Sequence, residues 1–238
     1  MPAPAAKSQT KSHKGAQDEN PTAEPRSEAA ARLGRSVVLV GLMGAGKSSV
    51  GRLLAERLAL PFLDADTEIE RAAGASIEEI FAHEGEAIFR SGERRVIARL
   101  LAGPPAVIAT GGGAFMDEAT RVAIRERGIS IWLKADLDTL VERTARRNGR
   151  PLLKQGNPRE ILARLIDQRY PVYAEADLVV ETGADPAEAV TERIIAALEA
   201  HTGTGPLAAR ALPRSRVKAR NGRGRRVRPR KAHKARKK

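Results

Sequence analysis

Cysteine is absent from the 238 residues, which excludes a disulfide scaffold and thiolate metal sites. No apolar run approaches the roughly 20 residues that a bilayer-spanning helix needs, so no membrane association is expected. Residues 1–35 are poor in the large apolar side chains that a folded unit buries, and they lack the apolar core of a signal peptide. Their Ala-, Pro-, Ser-, Lys- and Glu-rich composition predicts a disordered extension. Asp18, Glu19, Glu24 and Glu28 argue against an organellar transit peptide, which leaves a cytoplasmic location as the expectation. The other end lacks acid. Residues 205–238 carry 15 Lys and Arg and no Asp or Glu, so the net charge of +13 belongs to this tail; the rest has 27 basic against 29 acidic residues. The tail also lacks aromatic side chains on which bases could stack. It reads either as a solvated polycation or as a segment that binds phosphate backbones without reading sequence, at modest salt. The expected organisation is therefore a disordered extension over 1–35, one folded body over 36–202 and a disordered basic tail over 203–238.

Within the body, the apolar run Val37-Val38-Leu39-Val40 leads into Gly41-Leu42-Met43-Gly44-Ala45-Gly46-Lys47-Ser48, and apolar residues then recur at Val50, Leu53, Leu54 and Leu58. Strand, glycine-rich turn and helix follow in that order. The spacing G-x-x-x-x-G-K-S is that of the phosphate loop of ATP- and GTP-using enzymes. Glycines let backbone N–H groups curl around a polyanion, and the helix N-terminus adds donors and a positive dipole. Lys47 is expected to reach the outer phosphates, and the Ser48 hydroxyl to hold Mg²⁺. Gly44, Ala45, Gly46 and Ser49 complete the expected ATP-binding loop.

Strand-like and helix-like stretches alternate from there on. Phe62-Leu63 precedes Asp64-Ala65-Asp66, and Ser76-Ile77-Glu78-Glu79 has the form of a capping box. A helix is expected over about 86–101, a buried strand over 106–109, a helix over 117–127 and a strand over 129–133 that holds the single tryptophan, Trp132. Asp136 is placed to cap a helix that runs to about Thr144. Asn157-Pro158-Arg159-Glu160 restarts a helix with a cap, a first-turn proline and a glutamate three on. Leu178-Val179-Val180 is a last strand, and Asp185-Pro186-Ala187-Glu188 starts a last helix. The alternation predicts a three-layer α/β/α domain around a parallel sheet of about five strands.

Several charged residues invite a functional reading beside a plainer one. Asp66 either caps the following helix or meets substrate hydroxyls, for which a carboxylate is a bidentate acceptor. Arg90 and Arg169 rise from helices with apolar neighbours; they either pair with surface acids or clamp one carboxylate. Glu93, three residues after Arg90, either orients that arginine or is an ordinary i,i+3 partner. Gly111-Gly112-Gly113 ends a buried strand at its carboxyl edge, where ligands bind in open α/β sheets, or else is a flexible loop.

The order and spacing of Asp64-Ala65-Asp66, Phe89-Arg90-Ser91-Gly92-Glu93, Gly111-Gly112-Gly113, Gly149-Arg150-Pro151-Leu152-Leu153 and Arg169-Tyr170-Pro171-Val172-Tyr173 resemble the shikimate kinase family. That family phosphorylates the 3-hydroxyl of shikimate with MgATP. The resemblance runs from about Val37 to Leu198 and covers neither tail. It implies one Mg²⁺ at Ser48 and, through water, at Asp64. It implies a catalytic set of Lys47, Asp66 and Arg150, and a shikimate site of Asp66, Arg90, Gly111, Gly112, Gly113 and Arg169. It further implies that Arg143 stacks on adenine with Pro186 on the other face, and that an arginine-rich lid brings Arg150 to the transferred phosphoryl group. Arg146 and Arg147 have no assigned partner and read as solvated. A monomer is expected. Two rivals stay open: another small-molecule kinase such as a gluconate kinase, and a nucleic-acid-binding protein whose phosphate loop is regulatory.

Overall fold

The computed structural model of the chain describes residues 32–145, 156–203 and 207. Five strands form one sheet in the order β2-β3-β1-β4-β5, and every neighbouring pair is parallel. β1 (Ser36–Val40) is the central strand, in register with β3 (Val107–Ala109) on one side and β4 (Gly128–Lys134) on the other. Val37, Val38, Leu39 and Val40 are wholly buried, which is why this strand reads as an unbroken apolar run instead of alternating. β2 (Phe62–Asp64) and β5 (Leu178–Glu181) are the edges.

The first crossover, through α1 (Lys47–Leu58), runs from β1 two places toward one edge. Every later crossover runs the other way. Right-handed connection then puts α1 on the opposite face of the sheet from the helices that follow. These are α2 (Ala65–Ala73), α3 (Ile77–His83), α4 (Gly85–Ala102), α5 (Glu118–Arg127), α6 (Leu137–Ala145) and α7 (Pro158–Tyr173). α8 (Ala187–Thr202) returns to pack on α1. The reversal of direction at β1 opens a crevice between the carboxyl ends of β1 and β3, the expected place for a ligand in such a sheet.

Local signals account for most helix starts. Ser76 and Glu79 form the reciprocal capping box: Glu79 N–H donates to Ser76 Oγ at 3.2 Å and Ser76 N–H to Glu79 Oε2 at 2.8 Å. Asp136 accepts from the Thr139 N–H at 2.7 Å at the start of α6. Asn157 accepts from the Arg159 N–H at 3.0 Å, with Pro158 opening α7. At α8 the helix begins at Ala187 with Pro186 as its cap residue, and Asp185 instead pairs with Arg193 at 2.9 Å.

Packing extends beyond the expected body of 36–202 at both ends. Leu33 is buried before β1. After α8, Gly203 turns the chain in a left-handed conformation at φ 65°, and Leu207 returns to the core with 3% exposure. Its N–H donates to Glu199 Oε1 at 2.6 Å. Burying a leucine is worth about 1.5–3 kcal/mol. Ending the chain after Thr202 should therefore lower the thermal midpoint by roughly 5 °C, while ending it after Ala208 should leave it unchanged. Equal midpoints for the two truncations, measured by circular dichroism, would remove Leu207 from the folded unit.

Candidate active site

The loops that leave β1, β2 and β3 lie side by side at the carboxyl edge because those strands are neighbours in the order β2-β3-β1. They enclose a cavity of about 830 Å³ lined by Gly44 through Ser49, Asp64, Asp66, Gly112 and Arg143, among others. Gly44 and Gly46 hold φ of 86° and 98°, conformations that only glycine adopts cheaply, and these wrap the loop. Gly46 caps α1 without any side-chain hydrogen bond, so no cap side chain competes for the first N–H groups of that helix. Lys47 Nζ donates to the carbonyls of Gly41 at 2.8 Å and Leu42 at 3.0 Å, which holds the ammonium across the loop.

Ser48 Oγ donates to Asp64 Oδ2 at 3.0 Å. The other Asp64 oxygen accepts from the Asp66 N–H at 3.2 Å, so Asp64, not Asp66, caps α2. That disposes of the capping role weighed for Asp66. A hydroxyl and a carboxylate oxygen in contact form a hard donor pair of the kind Mg²⁺ takes from proteins when substrate phosphates supply its other ligands. Among the described residues no cluster of three or more His, Cys, Asp or Glu could hold a metal by itself.

Asp66 and Glu93 converge on Gly111. A Cβ there would lie 2.8 Å from Asp66 Oδ1 and 2.9 Å from Glu93 Oε1. Burial pushes the Asp66 carboxyl above the usual aspartate value and the nearby Asp64 charge adds to this, while Lys47 and Arg90 oppose it. Burial likewise raises Glu93, against the pull of Arg90. Arg90 Nη1 donates to Glu93 Oε2 at 2.7 Å, and a second fork reaches the exposed Glu86. Glu93 is 2% exposed, and its Oε1 has no hydrogen-bond partner among the described residues. A Cβ on Gly113 would sit 2.5 Å from Arg90 Nη1, so that guanidinium lies flat against the glycine backbone. Arg169 comes from α7 and donates to the Gly112 carbonyl at 2.8 Å. The two arginines expected to share a carboxylate are thus brought to adjacent residues of one loop.

On the other side of the phosphate loop, Arg143 donates to Gly183 O at 2.5 Å and to Gly44 O at 3.4 Å. Pro186 stands between Asp185 and Ala187, which both line the cavity. Arg146, Arg147 and Arg150 lie outside the described residues. Two polar residues at the site escaped sequence reasoning. Buried Thr182 donates to Ala45 O and Lys134 O, each at 3.3 Å, tying the β5 loop to the phosphate loop. The Tyr173 hydroxyl donates to Gly112 O. Only the four-residue spacing of Tyr173 from Arg169, which places both on one helix face, hints at this in the sequence.

A family model described as shikimate kinase matches residues 43–199. The shikimate kinase of Paramagnetospirillum magneticum is 60% identical over 167 residues, covering 70% of this chain and 86% of that protein. The one from Novosphingobium aromaticivorans is 56% identical over 172 residues, covering 71% and 89%. Among solved structures, a shikimate kinase from Acinetobacter baumannii in complex with shikimate is similar at a TM-score of 0.67 and 41% identity, over 70% of this chain and 93% of that one. The family match runs from Met43 in the phosphate loop through the glycine triplet and both arginine helices, and on these grounds the chain belongs to the shikimate kinase family.

Proposed function

We propose that this chain transfers the γ-phosphoryl group of MgATP to the 3-hydroxyl of shikimate, giving 3-phosphoshikimate and ADP. The observation that carries this reading is the arrangement of the cavity. Its lining runs from the phosphate loop to Asp66 and Gly112, and Arg90 and Arg169 lie against the same glycine triplet. A ligand with one carboxylate and neighbouring hydroxyls suits these side chains: the arginines take the carboxylate and Asp66 takes the hydroxyls. A family containing a shikimate-bound relative adds to it.

In this mechanism the N-terminus of α1, with Gly44, Ala45, Gly46 and Ser49, cradles the nucleotide phosphates, and Lys47 moves from the loop carbonyls to the transferred group. Arg143 and Pro186 hold the base. Ser48, and Asp64 through water, would hold Mg²⁺, which would neutralise charge on the nucleotide phosphates. Asp66 aligns the hydroxyl and takes its proton. The hydroxyl oxygen forms a bond to the γ-phosphorus while the bond to the β-phosphate oxygen breaks, and the electron pair leaves with ADP. Arg150 fits the role of the cation that steadies charge on the moving group. Gly112 and Gly113 present backbone to the ring. Positioning and charge, with no covalent intermediate, carry the rate.

The enzyme acts as a monomer in the cytoplasm in this reading; no described helix is long and apolar enough to cross a membrane. The described packing reaches from Leu33 to Leu207. The 15 basic residues of 205–238, ten of them arginine, bind polyanions through phosphate contacts. A chain ended after Ala208 should keep its turnover and lose its retention on heparin at 100 mM salt; unchanged retention would rule the tail out as the binding element.

Asp66 gives the sharpest test of the site. A charged hydrogen bond is worth about 1.5–3 kcal/mol, and general-base loss costs about 10²-fold or more. Asp66→Asn should therefore lower kcat/KM for shikimate at least a hundredfold. Because burial raises the Asp66 carboxyl in the folded state, its ionised form costs stability above that raised pKa, and the cost disappears as pH falls through it. At pH 7 the asparagine variant should then melt no lower than wild type. In the wild type, kcat/KM should fall on the acid side at a pH above the usual aspartate range. Near-normal kcat/KM in Asp66→Asn would remove Asp66 from the substrate site.

A further inference from the structure

Tyr173 is the last residue of α7, four after Arg169, and it is the largest of the wholly buried side chains among the described residues. No step above uses it. Its ring is packed by Trp132, Tyr170 and Phe115, with centroids at 6.0, 6.2 and 6.4 Å. Its polar end is aimed at one atom. The hydroxyl donates to the carbonyl oxygen of Gly112, the same oxygen that Arg169 Nη1 reaches at 2.8 Å. A carbonyl oxygen has two lone pairs, so α7 occupies both. Burial pushes the phenol up to about 12, against the pull of the Arg169 cation, so the hydroxyl keeps its proton and remains a donor at any working pH.

Fixing that carbonyl has a consequence across the peptide plane. The chain has no cis peptide bond among its described residues, so the N–H of Gly113 points opposite to the Gly112 carbonyl, away from α7. Arg90 lies against Gly113, with its guanidinium within 2.5–2.7 Å of where a Cβ would be. The hydroxyl and Arg169 together therefore set which way the backbone beside Arg90 faces. Gly112 approaches Arg169 Nη1 closely enough that a Cβ there would lie 3.4 Å away, so the guanidinium and the loop are held as a unit.

We propose that Tyr173 is a positioning residue for recognition of the substrate carboxylate, acting through the Gly112 carbonyl and the Arg169 guanidinium. This rests on the shikimate kinase reading of the site. A purely structural tyrosine would instead contribute packing, and its hydroxyl would be indifferent to which group the substrate carries.

Tyr173→Phe keeps the ring and removes the donor. KM for shikimate should rise about 2- to 13-fold, the worth of one neutral hydrogen bond, with kcat within twofold and KM for ATP unchanged. The carboxamide of shikimate, which has no charge to present to Arg169, should show no such penalty between wild type and variant. 4-Aminophenylalanine at position 173 restores a donor and should restore KM for shikimate. Equal penalties on acid and carboxamide, or no penalty on either, overturn the proposal. If the phenylalanine variant does not fold, the aminophenylalanine variant decides alone: wild-type KM supports the proposal and a tenfold rise overturns it. A wild-type enzyme without activity on shikimate overturns the functional reading itself and the Tyr173 proposal with it.

Discussion

Gly111, Gly112 and Gly113 pass between four charged side chains, and the rest of the site depends on that passage. Asp66 and Glu93 press on the first glycine, Arg169 donates to the carbonyl of the second, and Arg90 lies against the third. No residue with a Cβ fits at Gly111 or Gly113 without displacing an ionised group by several tenths of an ångström or more. Two carboxylates with raised affinity for protons, with Arg90 opposing the shift in both, form a cluster that is costly to bury when its partners are imperfect. The loop tolerates it because buried β3 anchors one end and α7 holds its middle by the carbonyl of Gly112. Stability is thereby given up locally to hold these charges together, a balance common at functional sites.

The second half of the site is organised by β1. Its burial on both faces fixes where the phosphate loop begins, and the register Leu39↔Ala109 sets the loop level with the end of β3. The Thr110 N–H and hydroxyl both donate to Leu39 O, at 3.2 and 3.0 Å, which stitches the two strand ends together just before the glycine triplet. Ser48 and Asp64 join the loop to β2, and Thr182 joins it to β5. The phosphate loop and the glycine triplet are thus tied to one edge of the sheet, as the near-attack geometry of the proposed transfer requires.

Much of this was legible in the chain. The phosphate loop announces itself because its chemistry needs glycines, lysine and serine at fixed spacing. The apolar run of β1 and the caps at Ser76, Asp136 and Asn157 mark elements for equally local reasons. Asp64 and Asp66 were harder to tell apart: two carboxylates two residues apart can each cap, and only the hydrogen bond from Asp66 N–H to Asp64 assigns the work. Thr182 and Tyr173 were not legible, since each makes its contact with a backbone carbonyl far away in sequence, and a carbonyl carries no residue signature. Leu33 and Leu207 were missed because single leucines in polar segments show no periodicity. Arg146, Arg147 and Arg150 fall outside the described residues.

The central claim is that the charges around the glycine triplet select one acceptor for the phosphoryl group. The most direct measurement is MgATP-dependent release of ADP by the full chain, coupled to NADH oxidation, with shikimate, gluconate and nucleoside monophosphates offered separately at equal concentration. The account predicts that kcat/KM for shikimate exceeds that for each of the others at least a hundredfold. Comparable turnover of gluconate or a nucleotide, or ADP release that shikimate does not stimulate, would contradict it.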